Sequence, residues 1–176
     1  MTDESFLISR IREGDYAAFR ILYEHHVDPL YRFLKQFSRD RHQVEDWVQR
    51  SFIKAYESLD RFAGRSRFST WLFAIGLNEM RSDRRKTQTV FLEEAALGQS
   101  VTEDPHEHFA WDELMRGWLD QLDDIRRSVF ILHEVEGFSH AEIAQMLQIG
   151  ESASRTILSR TRQWLKVKWN EERTHT

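Results

Sequence analysis

Two small all-helical domains, a helical bundle and a helix-turn-helix, joined by a flexible acidic linker: this is the all-α architecture that the 176-residue sequence predicts. Three observations carry it. Apolar residues recur at helical steps toward both ends of the chain, and no stretch shows the sustained alternation that strands need. Charge is unevenly divided, with 16 Lys/Arg against 13 Asp/Glu in residues 1–86, none against 7 in residues 87–113, and 9 of each in residues 114–176. A helix, a three-residue turn and a basic helix close the chain, the outline of a helix-turn-helix. The net charge of −4 therefore resides in the middle and leaves two ends able to meet nucleic acid.

Thr2 or Asp3 can cap a first helix carrying Phe6, Leu7 and Ile11, which Gly14 stops. Asp15 can cap the next, with Phe19, Leu22 and Tyr23 on its apolar side. Asp28-Pro29 reads as a cap and first-turn pair that restarts or bends that helix, and Leu30, Tyr31, Leu34 and Phe37 continue the stripe with Phe33 beside it. Residues 44–59 place Val44, Trp47, Val48, Phe52, Ala55, Tyr56 and Leu59 on one side of a helix. Its other side carries Glu45, Asp46, Gln49, Arg50 and Lys54, a charged face available to a partner. Residues 61–70 then mix Gly, Ser, Arg and aromatics before a helix that runs from Trp71 to the basic residues Arg81, Arg84, Arg85 and Lys86. A cationic loop between two helices suits a base held in a pocket and a backbone held by charge.

Periodicity is weak from 87 to about 105, where acids stand without a single base, as a solvated linker requires. Helicity resumes near His108, with Leu114, Met115, Trp118, Leu119 and Leu122 at helical steps. Asp123 or Asp124 can cap a helix over 125–136 that Gly137 closes. Ser139 and Glu142 form a capping-box pattern opening a short helix through Ile143, Ala144 and Leu147. After the turn at 148–150, the last helix carries Arg155, Arg160, Arg162, Lys166 and Lys168 with no acid between Ser152 and Asn170. A basic helix without balancing charge faces phosphate. Its apolar residues Ile157, Leu158, Trp164, Leu165 and Trp169 face the domain or, in part, a partner.

Absent residue types exclude other classes. Without Cys there are no disulfides and no thiolate metal sites, and an intracellular chain is expected. The start has neither a long apolar run nor a basic leader, and no stretch of membrane-span length lacks charges, so we expect a soluble, cytoplasmic chain with no membrane insertion. Of the eight His, His106 and His108 cluster with Glu103 and Glu107, and His25-His26 form a pair; neither spacing is a zinc pattern, and no metal or cofactor is expected. No nucleophile elbow or P-loop surrounds any Ser, His or Asp, so no catalytic residue and no enzyme activity are expected.

In VEDWVQ-SF-KAY, RFAGRSRFSTWLFAI and Asn78 the chain resembles region two of the extracytoplasmic-function (ECF) sigma factors, the small promoter-recognition subunits of bacterial RNA polymerase. In LDQLDDIRRSVFILHEVEGFSHAEIAQMLQI it resembles their region four, which reads the upstream, minus-thirty-five element. The resemblance extends from IREGDYAAFRILYE to the Arg-rich last helix and leaves out the middle. It implies a region-two domain at 1–86, an acidic linker at 87–107 that threads the polymerase cleft and stands in for nucleic acid, and a region-four helix-turn-helix domain at 108–176. Asp46, Gln49, Arg50 and Lys54 would dock on the clamp of the largest polymerase subunit. Arg61, Gly64, Arg65, Ser66, Arg67, Trp71, Asn78, Arg81, Arg84 and Arg85 would hold the unpaired minus-ten strand. Ser152, Arg155, Thr156, Ser159, Arg160 and Arg162 would meet the upstream duplex. The implied function is to direct RNA polymerase to specific promoters and aid their melting during transcription initiation. The implied partners are core RNA polymerase, promoter DNA as duplex and unpaired strand, and an anti-sigma factor.

The sequence departs from the family pattern at several positions. Arg50 stands where an acid is usual, and Leu77 precedes Asn78 where Arg is common. Gln148 occupies a turn position that usually holds Gly and often needs positive φ, Ser154 a usually apolar core position, and Ile157 a commonly DNA-facing one. A slightly rotated recognition helix would bring Ile157 inward to cover for Ser154. Trp71 suits either stacking on a base or the core, with its TWLFAI context favouring core; Trp47 is open between core and interface. Two other readings are a LuxR-type regulator using only the C-terminal helix-turn-helix, and a polymerase-docking module with weakened DNA reading.

Overall fold

Local chemistry at Asp15 sets the first boundary. Its carboxylate accepts from the backbone N–H groups of Ala17 at 2.9 Å and Ala18 at 3.2 Å, starting α2 (Tyr16–Leu34) directly after α1 (Glu4–Arg12). A computed structural model describes residues 4–93 and 110–175, with side chains at 4–87 and 113–174. The capping expected of Thr2 or Asp3 and the Glu103–His108 cluster lie outside the described residues. The chain divides into two compact units, Met1–Asp104 and Pro105–Thr176, and every regular element among the described residues is helical.

The first unit continues with a 3-10 turn at Lys35–Phe37, α3 (Arg41–Glu57), a second 3-10 turn at Leu59–Arg61, and α4 (Phe68–Glu93). Of the restart or bend expected at Asp28-Pro29, the restart does not occur, because α2 runs unbroken through Pro29. A proline inside a helix costs about 3 kcal/mol. Leu30, Phe33 and Leu34 beyond it are completely buried, and each such burial is worth about 1.5–3 kcal/mol, enough to hold the helix together. Helix α3 begins three residues before the expected position, since Asp40 accepts from His42 N–H at 2.9 Å. Helix α4 begins at Phe68, not Trp71, because the Phe68 and Thr70 side chains are themselves buried; it also continues to Glu93, beyond the basic residues expected to end it. The core brings Leu22, Leu30, Phe33 and Leu34 of α2 against Trp47 and Ala55 of α3 and Leu72, Leu77 and Met80 of α4. At Gly76 a Cβ would lie 2.9 Å from Leu30 Cδ1, so a larger residue there would push the Leu30 side chain from its place between α4 and α2.

The second unit holds α5 (Ala110–Leu119), α6 (Asp124–Glu134), α7 (His140–Leu147) and α8 (Glu151–His175). Asp123 caps α6 by accepting from Arg126 N–H at 2.9 Å, and α6 ends at Glu134, two residues before the expected close. The capping box forms as expected: Ser139 Oγ accepts from Glu142 N–H while the Glu142 carboxylate accepts from Ser139 N–H. Gln148 closes α7 in the left-handed conformation, φ 55 and ψ 43, as its turn position requires. A non-glycine residue there costs about 1 kcal/mol. Gln148→Gly is therefore expected to stabilise this unit by about 0.5–1 kcal/mol, read from slower hydrogen exchange of α7 and α8 amides.

Candidate nucleic-acid interface

On α3, Asp46 and Gln49 are exposed while Arg50 is half-buried. Arg50 pairs with Asp46 at 2.5 Å and reaches Asp83 of α4 at 3.5 Å; its Nε has no hydrogen-bond partner among the described residues. Lys54 pairs with Glu79, a carboxylate 7% exposed, so its charge is compensated from beneath. Trp47, left open by the sequence, is core: it is completely buried, and its indole N–H donates to Asp83 Oδ2 at 2.9 Å. Gln43 Nε2 donates to the same oxygen at 3.1 Å. Burial alone would raise the Asp83 carboxyl; the hydrogen bonds from Trp47 and Gln43, with Arg50, outweigh it and hold the pKa below the usual carboxylate value.

The connection between α3 and α4 is tied at its ends and open at its crest. Ala63, Gly64, Arg65 and Arg67 are exposed, as is Arg61 just before them, and Gly64 sits at φ 67, where a glycine is needed. Ser66 is half-buried, and its hydroxyl donates to the Arg67 carbonyl at 3.3 Å. Under the crest lies an aromatic base: the Phe62 ring is 5.0 Å from Trp71 and 6.0 Å from Phe68. Trp71 is half-buried on this base, with a wall against Phe62 and Phe68 and a remaining edge in solvent. Trp71, Asn78, Arg81 and Arg85 fall at helical steps of seven, three and four, one stripe leading away from the loop. Arg84 is off that stripe; its guanidinium donates to the Phe37 carbonyl and lies 5.9 Å from the Phe37 ring. Leu77, where the family commonly has Arg, is completely buried.

On α8 the side toward the domain is Ser154, Leu158, Thr161 and Leu165, all buried. The expected rotation that would bring Ile157 in to cover for Ser154 is not found: Ser154 itself is buried and Ile157 is only half-buried. The physical reason is a partner for the hydroxyl, since Ser154 Oγ lies 2.9 Å from His140 Nδ1. Opposite that buried stripe, Ser152, Arg155, Thr156 and Ser159 are exposed, flanked by Arg160 and Arg162. Arg155 pairs with Glu151 at 2.5 Å and Arg162 Nε with Glu134 at 2.7 Å, whereas Arg160 has no ion pair among the described residues. The His140 ring stacks on His133 at 4.5 Å, and His133 Nδ1 meets the Phe138 carbonyl at 2.9 Å.

Burial pushes the His140 pKa below the usual histidine value, and His133 and Arg155 push it further. A lowered histidine binds fewer protons folded than unfolded, so its contribution is present above about pH 6.5 and is lost as pH falls through the folded pKa. The second unit should accordingly lose stability as pH falls below about 6.5. Stability measured below that pH should fall less steeply in His140→Asn.

Arg12, Asp83 and Thr161 are structural anchors that sequence reasoning missed, whereas the family pattern already places Ser154 at a core position. Asp83 alone left a trace, as the one acid within the basic residues 81–86. Among the described residues no group of three or more His, Asp or Glu could hold a metal ion, and no helix is long and apolar enough to cross a membrane.

A cationic loop on one helical unit and a helix-turn-helix with an exposed basic face on the other define a two-part nucleic-acid-binding protein. Residues 22–90 match the family model for Sigma-70 region 2, and residues 113–165 match that for Sigma-70, region 4. The chain is 35% identical to RNA polymerase sigma factor NccH of Alcaligenes xylosoxydans xylosoxydans, over 92% of this chain and 94% of that protein. It is 32% identical to the ECF RNA polymerase sigma-E factor of Salmonella typhimurium, over 93% of this chain and 92% of that one. Among solved structures it resembles the sigma factor RpoE in complex with the anti-sigma factor NepR from Bartonella quintana, with a TM-score of 0.73 at 25% identity, covering 82% of this chain and 92% of that chain. The chain belongs to the ECF family of RNA polymerase sigma factors. Members of that family are transcription initiation factors.

Proposed function

We infer that this chain directs bacterial RNA polymerase to specific promoters and aids their melting. The observation that carries the reading is one chain with two cationic surfaces: an exposed Arg-rich loop over an aromatic base, and a helix-turn-helix with a basic outer stripe. Region two, residues 1–86, docks on the polymerase clamp through Asp46, Gln49, Arg50 and Lys54. Its loop at 62–67, with Arg61, Trp71, Asn78, Arg81 and Arg85, takes unpaired minus-ten bases; Arg84 contributes charge while bound to Phe37. Extruding a base costs a few kcal/mol, which a fitted pocket and cationic backbone contacts offset. Region four, residues 108–176, sets α8 in the upstream major groove through Ser152, Arg155, Thr156, Ser159, Arg160 and Arg162. The acidic segment that follows α4, to residue 107, connects them and occupies the nucleic-acid path; residues 87–93 of the expected linker belong to α4. Catalysis belongs to the core polymerase, in the cytoplasm, and this chain performs none. An anti-sigma factor restrains it, as one binds the Bartonella relative.

The match to region 2 over 22–90 speaks against a LuxR-type regulator, which carries a sensor in that place. Weakened DNA reading, motivated by Gln148, Ser154 and Ile157, loses two of its three supports, because Gln148 adopts the turn conformation and Ser154 is satisfied by His140. Run-off transcription with purified core polymerase tests the function, and grafting another family member's 62–70 loop tests the base reading. Transcripts that depend on the chain, with a graft that changes the accepted minus-ten base but not the upstream preference, are expected. No stimulation of core polymerase refutes the function, and an unmoved minus-ten preference refutes the loop's role.

A further inference from the structure

Helix α1 lies outside the segment matched to region 2, yet it reaches the entrance of the candidate base-reading loop directly and its exit through His26. Near its end, the Arg12 guanidinium donates to the Leu59 carbonyl at 3.0 Å and the Phe62 carbonyl at 2.6 Å. Those two oxygens bracket the 3-10 turn Leu59–Arg61, where the chain leaves helical structure and enters the loop. At its start, Glu4 Oε1 meets His26 Nε2 at 2.9 Å, and the His26 ring lies 5.2 Å from Phe68, the first residue of α4. Phe68 in turn meets Phe62 at 6.0 Å. Both ends of the loop are therefore referred to α1, one directly and one through His26.

We propose that Arg12 is a positioning residue for promoter reading, holding the entrance of the 62–67 loop so that its crest meets the extruded base in one geometry. The proposal rests on the base-reading role given to that loop. The crest is exposed at Ala63, Gly64, Arg65 and Arg67, so where its ends are held bears directly on its geometry. Charge-assisted hydrogen bonds to a neutral carbonyl are stronger than backbone ones, and one guanidinium serving two carbonyls fixes their separation as well as their position. Both bonds leave the same Nη2 nitrogen, so what lysine lacks is reach: its ammonium sits on a shorter stem and should hold the pair loosely. Arg12 acts through the loop and needs no contact with DNA.

The test uses holoenzyme assembled with full-length wild type, Arg12→Ala, Arg12→Lys and the loop graft. Open-complex formation is measured on promoters altered singly at each minus-ten base and, separately, at the upstream element; competition for core polymerase and thermal unfolding of each variant are measured alongside. For Arg12→Ala the expected result is about fivefold less discrimination among minus-ten bases, with core binding and upstream preference unchanged, and for Arg12→Lys an intermediate loss. Should Arg12→Ala unfold, Arg12→Lys alone decides, since it must then discriminate less than wild type at equal core binding. Wild-type discrimination, or an equal loss on every promoter, overturns the proposal. If the graft moves minus-ten preference and neither Arg12 variant does, the positioning role alone fails; if the graft moves nothing either, the base-reading role beneath it fails as well.

Discussion

Replacing Asp83 with Ala should destabilise the first unit by about 2–3 kcal/mol, because a buried donor left without its acceptor costs about 1–3 kcal/mol and a charged one more. One oxygen of this carboxylate takes the Trp47 indole N–H and the Gln43 amide, and the other faces Arg50. Trp47 is completely buried and has no water to turn to. Arg50 keeps Asp46 but already leaves its Nε unpartnered, so the loss of Asp83 falls on a group with little reserve. Asp83→Asn keeps one acceptor oxygen for Trp47 and Gln43 but loses the charge and turns an amide donor toward Arg50, so it should cost less than Asp83→Ala. Urea unfolding of the full chain, resolved by hydrogen exchange in α3 and α4, gives both values. Equal exchange in wild type and Asp83→Ala would contradict the account.

Arg160→Ala should weaken upstream duplex binding about fivefold at physiological salt and reduce the salt slope by about one, the share of a single phosphate contact. Arg162→Ala should do less, about twofold. The difference lies in the free protein: Arg162 is already engaged with Glu134, whereas Arg160 has no ion pair to give up among the described residues. The loss should be uniform across upstream sequences, since a phosphate contact positions without specifying. Titration of labelled duplexes by holoenzyme at several salt concentrations measures both terms. A larger effect at Arg162 than at Arg160 would reverse the assignment of the phosphate contact.

Much of the helical layout was legible because caps and periodicity are local. Asp15, Asp123, Ser139 and Glu142 act within three residues of themselves, and the stripe Val44, Trp47, Val48, Phe52 and Ala55 is buried as its spacing implies. Misreadings came where packing outweighed a local signal, as at Pro29, or where a cap was overlooked, as at Asp40. In the candidate site, exposure of the loop arginines and of Arg155 and Arg160 agrees with their spacing. What could not be read was pairing across the fold. Nothing in the order of residues says that Arg12 spans 47 and 50 positions to the loop entrance, or that Asp83 collects Trp47 from 36 positions away. The same holds for Arg84, which belongs to the basic residues by sequence and to Phe37 by geometry.

The contact of Ser154 with His140 bears on how this chain tolerates repair toward its family. Gln148 and Ser154 both depart from the usual pattern, and a consensus design would restore Gly at one and an apolar residue at the other. The first change is independent, since only backbone conformation is at stake. The second is epistatic: an apolar side chain at 154 strips His140 Nδ1 of its partner and adds volume where there is no exposure. Drift at 140 and 154 should thus be coupled, each substitution tolerated only on the background of the other, while position 148 is free to change by itself.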